Sequence, residues 1–167
     1  MSREVRLTLR AEIEITREKF HRLLVTVPEE SLKLPSNDPA WTNGELLYSM
    51  CLAPMIIKTV LKQNANVKWR RPVFPKIVTG SLVQLTNEMF IRSRARHSTR
   101  EAIAQEYDQT NHQILELLDG ISEDGFDKQL VVYESVPLLH SQVTVEQLFH
   151  YVMKHFDVHR KQINSGN

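Results

Sequence analysis

Four stretches of this 167-residue chain repeat apolar side chains three and four residues apart, a period that only an α-helix turns into a continuous stripe. From about Arg3 to Val27 the stripe is Leu9, Ile13, Thr16, Phe20, Leu23 and Val27. Glu12, Glu14, Arg17, Glu18, Lys19 and Arg22 fill the other side, and Pro28 ends the run. A second stripe, to about Lys62, holds Leu46, Ser49, Met50, Ala53, Ile56, Ile57 and Val60. Pro54 sits inside it and predicts a kink or an early break. A third runs to about Asp119 through Ile103, Tyr107, Thr110, Ile114 and Leu117, with Gly120 as a stop. The last reaches about Ile163 through Leu148, Val152, His155, His159 and Ile163, flanked by Val145, Phe149 and Phe156.

Three of the four helices open on capping-box spacing: Thr42 with Glu45, Ser98 with Glu101, and Thr144 with Gln147. In such a pair the hydroxyl accepts from an orphan backbone N–H, and the acidic or amide side chain reaches back to the cap's own N–H. Residues 28–41 read as a loop. Residues 63–97 form a long connection with room for one short helix over 81–92, and residues 121–143 form a second. Leu130 to Tyr133 has a β-like composition, but one such run makes no sheet. The reading is an all-α four-helix bundle with long crossover connections, a single domain over 1–167. Its expected core is Leu9, Ile13, Phe20, Leu23, Leu46, Ile56, Ile103, Ile114, Leu148 and Val152.

Composition narrows function mainly by exclusion. A formal net charge of +1 supplies no field to draw nucleic acid or an anionic membrane. No apolar run approaches the ~18 residues that span a bilayer. The single cysteine, Cys51, allows no internal disulfide, which fits a reducing compartment. A cytoplasmic protein without nucleic-acid or membrane partners is expected.

One constellation carries chemistry. His155 and His159 stand four apart on the apolar stripe of the last helix, so both imidazoles face one way, a turn apart. Two inward imidazoles at this spacing can bind one divalent metal when a third ligand comes from another helix. They can equally bond to carbonyls or waters at the end of a bundle, and pairs at this spacing arise by chance. His21, His97, His112, His140 and His150 read as surface or boundary residues. Arg92, Arg94, Arg96 and Arg100 with His97, and Arg70 and Arg71, read as a solvated face in preference to an anion site. Trp41, preceding a cap, reads as a hydrophobic staple.

Trp41-Thr42-x-x-Glu45-Leu46-Leu47 resembles the start of the second helix in the DinB-like superfamily of four-helix bundles. Thr144-Val145-Glu146-Gln147-Leu148-Phe149, then His155-x-x-x-His159-x-x-Gln162-Ile163, looks like that family's last helix. The resemblance implies a divalent metal, often zinc or nickel, held by two histidines of the last helix and one of the second. It also implies kinship with transferases and isomerases that use bacillithiol or mycothiol. This chain departs from the pattern: the histidine of the second helix falls at Ser49, whose neutral hydroxyl is a poor ligand for a transition metal. The metal set is then His155 and His159, with Ser49 at the position of the missing third ligand. Glu45 is expected to serve the cap, while Cys51 and Tyr48 point around the helix, away from the pair. Three functions stay open: a metal-dependent thiol transferase or hydrolase, a small-ligand-binding bundle that has lost its metal, and an interaction module. A homodimer through helix faces is expected.

Overall fold

The computed structural model describes residues 2–64, 83–132 and 138–164. Among them are six α-helices: α1 Ser2–Thr26, α2 Asn43–Met50, α3 Ala53–Gln63, α4 Val83–Ala95, α5 Arg100–Gly120 and α6 Val145–Gln162. Short 3₁₀ turns cover Glu29–Lys33 and Glu123–Gly125. The fold is an all-α bundle in which α1 packs on α5 and α6, and the α2–α3 pair packs on the same two helices from the opposite corner. The chain therefore crosses the bundle twice, between α1 and α2 and between α5 and α6. α4 lies outside this square against α2, where Ile91 meets Tyr48 and Leu52. No single helix among the described residues is long and apolar enough to cross a membrane.

The helix starts follow the side chains that cap them. Thr42 accepts from the Glu45 N–H while Glu45 accepts from the Thr42 N–H, and Thr144 and Gln147 repeat the exchange on α6. At α5 the expected cap is off by one residue. Thr99 accepts from Ala102, Ser98 donates to the Arg94 carbonyl on α4, and no box closes. The carboxylate of Glu29, far back in the chain, takes the Arg100 N–H instead, at 3.1 and 3.2 Å.

The second helical stripe is two helices, bent 43° at their junction. Proline cannot donate to the carbonyl four residues back, and its ring crowds that oxygen. Cys51 and Leu52 therefore close i−3 bonds onto Tyr48 and Ser49, and Pro54 is taken into the first turn of α3. Restarting the helix turns Ile57 fully inward and leaves Ile56 half-buried. On α1 the inward residue is Leu24, with Leu23 half-buried beside it, a step of 100° around the helix axis. The other eight expected core residues are buried.

The connection before α6 contains a small sheet that the sequence did not suggest. β1, Gln129–Val131, pairs antiparallel with β2, Gln142–Thr144, placing Leu130 opposite Val143. Both of those side chains are buried under the bundle, which explains why so short a pair persists. The core divides along the bundle axis. One half gathers Leu9, Ile13, Ile57, Leu118, Leu148 and Val152 near this sheet. The other gathers Phe20, Leu24, Leu46, Met50, Ile103 and Phe156, with Phe20 stacked on Tyr107 at 3.7 Å. Trp41 packs against this second half together with Leu46, as a staple requires. Trp69, Arg70, Arg71 and Tyr133 lie outside the described residues.

Candidate functional site

The last two turns of α6 carry the paired histidines against the loop that leads into α2. His155 and His159 lie one above the other, rings perpendicular, with 3.1 Å between their Nε2 atoms. His155 is buried, stacked against Tyr151, and His159 is half-buried toward the helix end. Burial, and then the neighbouring His159, push the His155 imidazole down to about 3. Burial also lowers His159, against the opposing pull of its bond to Gln162 and the charge of Asp38. Both rings are thus neutral at physiological pH.

Two residues that sequence reasoning gave no site role complete the arrangement. The His159 Nδ1 lies 2.8 Å from Gln162 Oε1, and Gln162 Nε2 donates to Asp38 Oδ2 at 3.4 Å. The spacing from His159 to Gln162 puts the amide on the same side of α6, so that contact was available from the helix period. Asp38 carries no such signal. It reaches the site because the loop is tied to the end of α6 by backbone. The Asn37 N–H donates to the Gln162 carbonyl at 2.8 Å, and the Asn37 side chain donates to the Ile163 carbonyl at 3.3 Å. Asn43, itself buried, exchanges two hydrogen bonds of 2.9 Å with the backbone of Asn164.

The other candidate ligands are occupied elsewhere. Ser49 is buried and its hydroxyl donates to the Leu46 carbonyl at 2.7 Å; no hydrogen bond joins it to either imidazole. Glu45 is held in the capping box. Cys51 is fully buried with its sulfur toward the Ile103 carbonyl of α5, and burial pushes the thiol up. Tyr48 faces α4, and burial pushes its phenol up to about 12. Among the described residues no three His, Cys, Asp or Glu side chains converge as a metal-holding group.

The remaining polar clusters are structural. His21 and Arg17 of α1 share Asp108 of α5, at 2.8 and 2.6 Å, and hold those helices together. His150 meets Glu12 at 3.1 Å across the α1–α6 groove. The arginines disperse: Arg92 lies over Trp41, Arg94 over Phe90, and Arg100 donates to the Val27 carbonyl.

No protein-family model matches the sequence, and no curated protein matches it. Among solved structures, the chain is similar to a histidine-to-alanine mutant of mycothiol-dependent maleylpyruvate isomerase, with a TM-score of 0.67 and 11% identity. The match covers 95% of this chain and 60% of that one, so the chain spans about three-fifths of the isomerase's length. At that identity the likeness is one of fold alone: this chain shares a helical-bundle fold with the isomerase.

Proposed function

We propose that this chain is a DinB-like helical-bundle protein with a degenerate metal site, formed by His155 and His159 with Ser49 at the place of the missing third ligand. The observation that carries the reading is the part-buried Nε2-to-Nε2 approach of 3.1 Å within a bundle of this fold. At metal–nitrogen bonds of roughly 2.0–2.1 Å, nitrogens so spaced subtend about 100° at one ion, an ordinary angle for zinc or nickel. Two donors match the metal, and the third does not. The serine hydroxyl is neutral and already donates to its own helix, and among the described residues no carboxylate or thiol replaces it. The described residues therefore do not complete a resident site, and no reaction step is assigned to a metal here. The chain is a relative of the metal-dependent thiol transferases and hydrolases whose metal centre has decayed. The internal satisfaction of Ser49 fits a second reading as well, a non-catalytic bundle that has lost its metal. We place either form in the cytoplasm as a homodimer.

Titration calorimetry with zinc and with nickel, on wild type and Ser49→His, tests the reading. Wild type should bind weakly. The variant offers three nitrogens and an open position, and its affinity should rise at least about 100-fold, with proton release. Tight binding by wild type would mean an intact site, and no gain in the variant would mean that position 49 does not see the histidine pair.

A further inference from the structure

The hydrogen bonds around the pair have a direction, and it can be read from the end that has no choice. Asp38 is a carboxylate and can only accept, so the Gln162 group facing it is the NH₂. The Gln162 carbonyl oxygen then faces His159 Nδ1, and an oxygen that only accepts requires a proton on that nitrogen. In a neutral imidazole a proton on Nδ1 leaves Nε2 as a lone pair. The His155 Nε2, 3.1 Å from that lone pair, must then be the donor. Each assignment follows from the one before it, and the chain starts at a loop residue 124 positions away from Gln162.

We infer that Asp38 and Gln162 are positioning residues that fix opposite tautomers on the two histidines, Nδ1–H on His159 and Nε2–H on His155. The loop geometry makes this firm. Asn37 is bonded to the Gln162 and Ile163 carbonyls, so the Asp38 side chain is delivered to the Gln162 amide by backbone that cannot drift away from α6. Gln162 alone would not suffice, because a free amide turns over and offers either NH₂ or oxygen. The consequence for the site rests on the reading proposed above. His159 presents a permanent lone pair, and a carboxylate–amide–imidazole arrangement of this kind is how proteins orient a metal-ligating histidine. His155 presents a proton there instead, and its Nε2 cannot ligate until that proton moves to Nδ1. The pair is thus one ready ligand and one masked one.

The test reads tautomers directly, by long-range ¹H–¹⁵N correlation spectra of the imidazoles in the full chain, treated with chelator and kept slightly above neutral pH. Wild type should show His159 as Nδ1–H and His155 as Nε2–H. Gln162→Leu should lower the Nδ1–H form of His159 relative to Nε2–H by about fivefold, the factor that one net hydrogen bond supplies. Asp38→Asn, whose amide can turn over and face Gln162 with either group, and Asp38→Ala both remove the end that can only accept, and each should mix the tautomers. His159 found as Nε2–H in wild type, or unchanged in a folded Gln162→Leu, overturns the inference. Should Gln162→Leu fail to fold, the wild-type spectrum alone decides, and His159 found there as Nε2–H overturns the inference. The outcome is separable from the metal reading. Correct tautomers with no zinc gain in Ser49→His leave the relay standing and remove the metal site, and the converse result does the opposite.

Discussion

His155 gives the protein a pH-dependent stability that can be sized from the structure. Unfolded, its imidazole takes a proton near its ordinary value of 6.5; folded, burial and the neighbouring His159 hold it at about 3. Between those limits the unfolded chain binds the extra proton, so stability is greatest above 6.5 and falls as the pH drops toward 3. At 1.36 kcal/mol per pH unit the whole window is worth about 5 kcal/mol, of the same order as the net stability of a small domain. His155 is only 8% exposed, so solvent screening removes little of this. His159, also lowered by burial, adds in the same direction. Asp108, lowered by its bonds to Arg17 and His21 despite the opposing effect of burial, contributes its own loss at more acid pH. The comparison that isolates His155 is therefore wild type against His155→Gln, by urea unfolding at a series of pH values. The difference in unfolding free energy should shrink steadily as the pH falls from 6.5, by about 1.4 kcal/mol per unit at its steepest. Parallel profiles for the two proteins would refute the argument, since they would mean that His155 takes up its proton equally in both states.

Three further outcomes follow from packing and capping. A Cβ on Gly44 would meet the Leu32 carbonyl oxygen at 2.9 Å, so Gly44→Ala should lower stability by about 1–3 kcal/mol, readable as a shift in the urea midpoint. Thr144→Ala removes the hydroxyl that caps α6 and should cost about 1 kcal/mol in the same assay, with the helical circular dichroism of the folded state unchanged. Cys51, fully buried and with its thiol raised, should react with a thiol reagent only as fast as the protein opens, so that adding urea accelerates modification.

How far the sequence disclosed this arrangement depends on the range of the interaction. Helix identity was legible because stripe, cap and breaker all lie within a few residues of each other, as at Thr42 and Glu45. The expected cap at Ser98 failed because two adjacent hydroxyl residues compete for the role, and because the Ser98 N–H that Glu101 was expected to take is already bonded to the Ala95 carbonyl. Leu23 and Ile56 missed the deep core because a stripe of adjacent apolar residues does not say which of the two points inward. The two-stranded sheet went unseen because Gln142 to Thr144 is too short to show a period. At the candidate site the histidine pair was visible from spacing alone. Asp38 was not, since what brings it there is backbone pairing between segments with no shared pattern.

That pairing sets an order of events during synthesis. The link from Asn37 to Ile163 joins positions 126 apart, and Asn43 to Asn164 joins positions 121 apart. Closing a loop of that size costs on the order of 4 kcal/mol in chain entropy beyond a constant term, and no local contact offsets it in advance. During synthesis α1 to α5 can emerge and begin to associate while the histidine pair and its Asp38 partner are still apart. On the ribosome the site thus cannot form until α6 has been made, and a chain halted before Gln162 would lack the fastening between the loop and α6.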